Sequence, residues 1–171
     1  MTINVREMVP MDFNAVARIA HEEIYDEQPE ELVKKLLEDL QADPRSSIFV
    51  VFLDDLVAGF LVLQRFDSYG EVESVRAFLM ALGEGYQGKL GPFFFRDVVM
   101  RSLSLLEKRI KRKIFRLTFE LDGYNEQFQR VLCRAIGRMG LRYEVSLLEG
   151  AWPANKEDPR GSQYMFNVWP P

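Results

Sequence analysis

Between residues 46 and 82 three strand-like runs follow one another with no helical pattern between them. "SSIFVVFLDDLVAGFLVLQRF" reads as two strands around an Asp54-Asp55 turn, and "GEVESVRAFLMAL" as a third. A succession of this kind demands a sheet, and the flanking segments decide what covers it.

Those flanks are helical. Ahead of the three runs, "INVREM" alternates as a short strand, and "MDFNAVARIAHEEI" carries Phe13, Val16, Ala17, Ala20 and Ile24 at helical spacing, with Asp12 as the expected N-cap. A second helix starts near Pro29 with a stripe of Leu32, Val33, Leu36, Leu37 and Leu40. Beyond the runs, "PFFFRDVVMRSLSLLEKRI" predicts a helix with Pro92 in its first turn, and basic residues crowd its C-terminal end. "IFRLTFEL" is a strand, and "NEQFQRVLCRAIGRM" is a helix closed by Gly140. "LRYEVSLLEG" and "SQYMFNVW" are the last strands. The order is strand, helix, helix, three strands, helix, strand, helix, two strands, which is mixed α/β in one domain spanning residues 1–171.

Composition excludes several classes. A net charge of −4 gives no global attraction to nucleic acid or to an anionic membrane. One cysteine, Cys133, and one histidine, His21, leave no intramolecular disulfide and make a Cys- or His-based metal site improbable. No apolar run reaches the roughly 18 residues of a membrane span. The N-terminus lacks the apolar core of a signal peptide, so a cytoplasmic protein is expected.

The segment "GEGYQGKLGPFFF", residues 83–95, joins the third strand run to the next helix. Glycines let backbone N–H groups turn toward an anion without Cβ clashes, and a helix N-terminus adds about half a positive charge. Together they make an anion site, to which Lys89 adds a point charge. Ordinary turn residues linking a strand to a helix are the plain alternative.

"MALGEGYQGKLG" ahead of a helix resembles the acyl-CoA loop of the GNAT (Gcn5-related N-acetyltransferase) superfamily. "FELDGYN" is similar to that family's fifth strand ending in Asn125, and "RMGLRYE" to the opening of its sixth. The resemblance implies a mixed, mostly antiparallel central sheet of about seven strands flanked by about four helices. It implies acetyl-CoA as cosubstrate, with no metal. Gln87, Gly88, Lys89, Leu90 and Gly91 would hold the pyrophosphate, Met80 and Leu82 would meet the pantetheine arm, and Asn125 would assist. The loop departs from the family pattern by one residue fewer between Gln87 and the last glycine. The tyrosine that many members carry in the helix after the fifth strand falls at Leu132 or Ile136, so neither register supplies it.

An N-acetyltransferase needs an amine that loses a proton, a donor for the oxyanion and a proton for the leaving thiolate. Glu120 is the first candidate base, on the fifth strand five residues before Asn125. Strand alternation gives it one face with Thr118. Glu73 is the second, sharing a face with Val75, Ala77 and Leu79, and Tyr124 and Tyr143 are the candidate acids. His21 and Cys133 read better as a solvated helix residue and as core filler.

The expected acceptor is a primary amine on a small molecule or peptide. The acidic stretch "HEEIYDEQPEE" would favour a cationic one, although charge on exposed helix ends explains it as well. Phe93, Phe94 and Phe95 cannot all face one core stripe, so at least one should turn elsewhere. Trp152 and Trp169 bracket the last hairpin, where exposed rings would serve a homodimer or an acceptor wall. The competing class is a non-catalytic domain of the same fold that binds acyl-CoA or a protein.

Overall fold

The computed structural model describes residues 1–69, 72–122, 126–147 and 163–170. Its elements are β1 (Ile3–Glu7), α1 (Phe13–Glu23), α2 (Glu30–Ala42), β2 (Ser46–Leu53), β3 (Leu56–Tyr69), β4 (Val72–Leu82), α3 (Gln87–Phe93), α4 (Met100–Ile110), β5 (Lys113–Asp122), α5 (Glu126–Arg138), β6 (Arg142–Leu147) and β7 (Gln163–Trp169). The strands form one seven-stranded sheet in the order β1-β2-β3-β4-β5-β7-β6. Every neighbouring pair is antiparallel except β4 with β5. This is the α/β architecture that the element order implied.

Alternation along the strands sends side chains into two cores. On one face, Val16, Ile19 and Ala20 of α1 and Val33, Leu37 and Leu40 of α2 meet Ile48, Val50, Phe60 and Val62. On the other, Leu103 and Leu106 of α4 and Leu132 and Ile136 of α5 meet Phe49, Leu61, Leu63, Val75, Leu117 and Phe119. Leu32, counted in the apolar stripe of α2, is exposed instead, because the buried stripe is the narrower set Val33, Leu37 and Leu40. The turn between β2 and β3 places Asp54 and Asp55 at φ of 48° and 67°, the left-handed pair of a tight hairpin.

Two expectations change. Asp12 does not cap α1, for its side chain makes no bond to that helix. It closes the preceding 3-10 turn, Pro10–Asp12, accepting from the N–H of Val9 at 2.9 Å and from both terminal nitrogens of Arg6 at 2.6 and 2.9 Å. The helix expected from Pro92 starts at Gln87 instead, so the glycine segment is itself the first turn of α3. Pro92 lies inside it and brings no N–H to the carbonyl of Gly88.

Six residues of wider π-helical winding, Phe94–Val99, then join α3 to α4. The wider turn lets two consecutive aromatics, Phe94 and Phe95, enter the core together. Phe93 stays outside that cluster, with the Arg96 guanidinium 5.6 Å from its ring.

No helix among the described residues is long and apolar enough to cross a membrane.

The Arg6 hydrogen bonds, and then that of the Val9 amide, hold the Asp12 carboxyl below its ordinary range against the opposing effect of burial. A carboxyl with a lowered folded pKa stabilises the fold fully above its unfolded value of about 3.9, and that contribution is lost as pH falls through the folded value. Asp12→Asn should therefore cost about 1–3 kcal/mol at pH 7. In denaturant titrations the gap from the parent protein should narrow on acidification below about pH 4.

Candidate functional site

The parallel ladder between β4 and β5 runs from Val72↔Lys113 to Ala77↔Phe119 and stops there. Beyond it the two strands part. Leu79, Met80, Ala81 and Leu82 pair with β3 alone, and Glu120, Leu121 and Asp122 pair with β7 alone. Phe78 is an extra residue in β4, for Val62 pairs with Leu79 and Leu63 with Ala77. Such a bulge kinks a strand and increases its local twist, and here it coincides with the end of the parallel ladder. The result is a wedge-shaped gap in the sheet, with one edge of β4 carrying backbone groups that no described strand satisfies.

The bulge also resets the alternation. Met80 and Leu82 pack toward α3 and α4 with Val75 and Ala77, whereas Leu79 and Ala81 join the α1–α2 side. Glu73 therefore shares a face with Val75 and Ala77, and Leu79 does not. Gly59 lets β3 follow the end of β4 closely, since a Cβ there would stand 2.4 Å from the Ala81 carbonyl oxygen.

The start of α3 lies directly past the end of β4. The carbonyl of Tyr86 accepts from the N–H of Lys89 and of Leu90 at 3.1 and 2.8 Å. The N–H groups of Gln87 and Gly88 have no acceptor among the described residues, as the first amides of a helix do not. Gln87, Gly88 and Lys89 are exposed. A Cβ added at Gly88 or Gly91 would meet nothing within 4 Å, so open space stands over this turn. Two unclaimed donors, the positive end of the helix and the Lys89 ammonium fit a phosphate chemically.

Leu90 has a different task. Its side chain is fully buried in the core, and its N–H is spent on Tyr86. It anchors α3 and keeps its Cβ away from the exposed turn.

The side chain of Gln87 supplies a contact that nothing in the sequence signalled. Its Nε2 donates to Glu23 Oε2 at 2.8 Å and to the Leu82 carbonyl at 3.2 Å. The end of α1, the end of β4 and the start of α3 are thereby tied at one point. On the α3–α5 side of the gap, Gly91, Phe94, Phe95, Phe119 and Leu132 line a small apolar hollow.

Glu73 is not brought to this gap. It stands at the start of β4, four residues before the ladder ends, or about 13 Å along the strand. Its carboxylate is buried and lies 3.1 Å from Arg112 and 3.9 Å from Arg65. Glu120 is the first residue of β5 past the ladder, and its backbone pairs with Met165. Tyr124, Asn125 and Trp152 lie outside the described residues. Trp169 carries the Arg142 guanidinium 4.8 Å from its ring.

Leu132 and Ile136 are both buried, so neither offers a polar group where an acid would be sought. Burial pushes the Cys133 thiol up, away from the reactive thiolate. His21 Nε2 donates to the Gln28 carbonyl at 2.9 Å, within the α1–α2 connection. Among the described residues no three His, Cys, Asp or Glu side chains gather in a way that could hold a metal ion.

Removing the charge of Glu73 would leave Arg65 and Arg112 facing a neutral amide. Glu73→Gln should cost about 2–3 kcal/mol, less than the roughly 3–5 of a fully buried pair because both guanidiniums reach solvent. The loss should appear in the unfolding midpoint, while any ligand affinity of the folded fraction stays unchanged.

No protein-family model matches the chain, and no curated protein is similar to it in sequence. Solved structures do match. A chimera of the Vibrio cholerae spermidine N-acetyltransferase SpeG with hSSAT (segment K23-Q34) superposes at a TM-score of 0.68 and 13% identity, covering 99% of this chain and 96% of its own. A putative acetyltransferase of the GNAT family from Desulfovibrio desulfuricans gives 0.66 at 14%, covering 98% and 99%. The Escherichia coli ribosomal-protein-S18-alanine N-acetyltransferase gives 0.65 at 15%, covering 99% and 94%. Over nearly its whole length, then, this chain has the fold of the GNAT acetyltransferases.

Proposed function

We propose that the protein is an acetyl-CoA-dependent N-acetyltransferase acting on a primary amine. The parting of β4 from β5 beside the free amides of Gln87 and Gly88 carries this reading. The five residues from Phe78 to Leu82 span about 17 Å of exposed strand edge, a length that suits an extended pantetheine arm. Its amides would pair with the unsatisfied backbone near Met80 and Leu82 as a further strand does. Its pyrophosphate would lie on the first turn of α3, against Gln87, Gly88 and Lys89, with Gly91 leaving room and Asn125 as a further contact. The thioester would then lie at the inner end of the gap, by Phe78 and Phe119.

The chemistry needs no covalent enzyme intermediate. The neutral amine adds to the thioester carbonyl carbon, forming the C–N bond. The C–S bond breaks, the amine proton passes to Glu120 directly or through water, and the thiolate takes up a proton to leave as the CoA thiol. Glu120 owes this role to its backbone position as the first residue past the ladder. Tyr124 is the candidate acid. Glu73, held by two arginines at the far end of the strand, is a structural charge in this scheme. The acidic residues Glu22, Glu23, Asp26, Glu27, Glu30 and Glu31 around the α1–α2 connection would draw a cationic amine.

Two variants test the reading. Gly88→Asp sets a carboxylate before the free amides and should raise the CoA dissociation constant at least about tenfold, or about 1.4 kcal/mol. Gly88→Ala should leave binding nearly intact and stabilise the helix by up to about 1 kcal/mol, because its Cβ meets nothing. Glu120→Gln should retain CoA binding and lose about 10²–10⁴ in kcat/KM for the amine. CoA binding with no thiol release from acetyl-CoA across a broad amine panel would favour the non-catalytic domain. A CoA excess that leaves the melting temperature unmoved would end the donor reading altogether.

A further inference from the structure

The face of the sheet opposite α3, α4 and α5 carries a row of polar side chains that the sequence did not single out. Ser46, Gln64, Arg76, Thr118 and Asn167 sit opposite one another on β2, β3, β4, β5 and β7. Gln64 Nε2 donates to Ser46 Oγ at 3.0 Å, and Arg76 Nε donates to Gln64 Oε1 at 2.9 Å. Thr118 Oγ1 donates to Asn167 Oδ1 at 2.9 Å. This is the face on which α1 and α2 cover β2 and β3, and no described helix covers it over β5 and β7.

Thr118 and Asn167 are placed one pair short of the gap, since Phe119 is the last residue of β5 to pair with β4. Both are buried, at 4% and 8% exposure. Thr118 holds the Asn167 carboxamide by its oxygen. The amide nitrogen, with its two hydrogens, has no acceptor among the described residues, and it is not among the polar atoms closed off from solvent. A pair that fixes one end of an amide and leaves the other end open holds two oriented N–H donors for water or a ligand to accept from.

An acyl donor in the gap, with its phosphates on α3, fills the α3–α5 side and the plane of the sheet. The thioester is then open to attack from the face that carries Asn167. We propose that Asn167 selects the acceptor by donating to a carbonyl oxygen beside the reacting amine, with Thr118 as the positioning residue that orients it. This inference rests on the transferase reading and narrows it. A peptide α-amine has such a carbonyl two bonds from its nitrogen. A protonated polyamine offers only donors and leaves the Asn167 N–H groups unpaired.

The experiment uses the full-length chain, 15N-labelled and saturated with CoA. The Asn167 carboxamide resonances are identified by their loss in Asn167→Ala. They should move on addition of an alanine-led tripeptide amide and stay in place with spermidine. In thiol-release assays with acetyl-CoA, Asn167→Ala should raise the KM for the tripeptide amide about tenfold, leaving the KM for acetyl-CoA unchanged. Thr118→Val should reproduce much of that effect, and Thr118→Ser should restore the parent value. Asn167 signals that ignore the tripeptide amide, or follow spermidine equally, overturn the inference while leaving the transferase intact. So does an Asn167→Ala protein with an unchanged KM. Absence of any resonance shift with CoA itself overturns both.

Discussion

The structure depends on one incomplete ladder. β4 and β5 are the only parallel neighbours among the described strands, and their ladder stops at Ala77 and Phe119, short of the end of both. Past that point each strand keeps an outer partner, β3 for β4 and β7 for β5, so the sheet remains one body while its middle opens. An extra residue at Phe78 accompanies this opening, since a bulge twists its strand relative to the next. The backbone edge so created lies between two cores and has no partner strand among the described residues. A linear molecule with alternating amide groups is the natural complement to such an edge.

Much of this was legible from the sequence. Periodicity placed seven strands and the helices, and the turn at Asp54-Asp55 announced itself by residue type. The position of the candidate anion site was read from glycines between a strand and a helix. What periodicity missed was where that helix begins. Gln87, Gly88 and Lys89 are exposed and Leu90 is buried, so the apolar signal of the first turn rests on a single residue. Glycine and proline then weigh against a helix in any local count. The free energy comes from Leu90, Phe94 and Phe95 entering one core, a tertiary effect that intrinsic preferences do not record.

The bulge was hidden for a related reason. Alternation read straight through β4 groups Glu73 with Leu79, whereas one inserted residue at Phe78 moves Leu79 to the opposite core. The same limit applies to the charge at Glu73. A strand carboxylate in a short motif looks alike whether it serves a reaction or balances two arginines, and only the partners Arg65 and Arg112 separate the two. Thr118 and Asn167, 49 residues apart in sequence, could not be paired without the sheet order β5-β7-β6.

Electrostatics at the start of α3 set a balance that the fold must hold. Glu23 brings a carboxylate to the Gln87 side chain, beside amides suited to an anion. That negative charge opposes a phosphate, and Lys89 and the helix dipole oppose it in turn. The Gln87 carboxamide stands between them, donating to Glu23 and to the last carbonyl of β4. It lowers the carboxylate's field at the turn and fixes α1 against the end of the gap. In the proposed reaction, a cationic acceptor near the α1–α2 carboxylates and an anionic donor on α3 would meet opposite charges on adjoining elements. The two would be kept on separate approaches to one thioester by the sheet that lies between them.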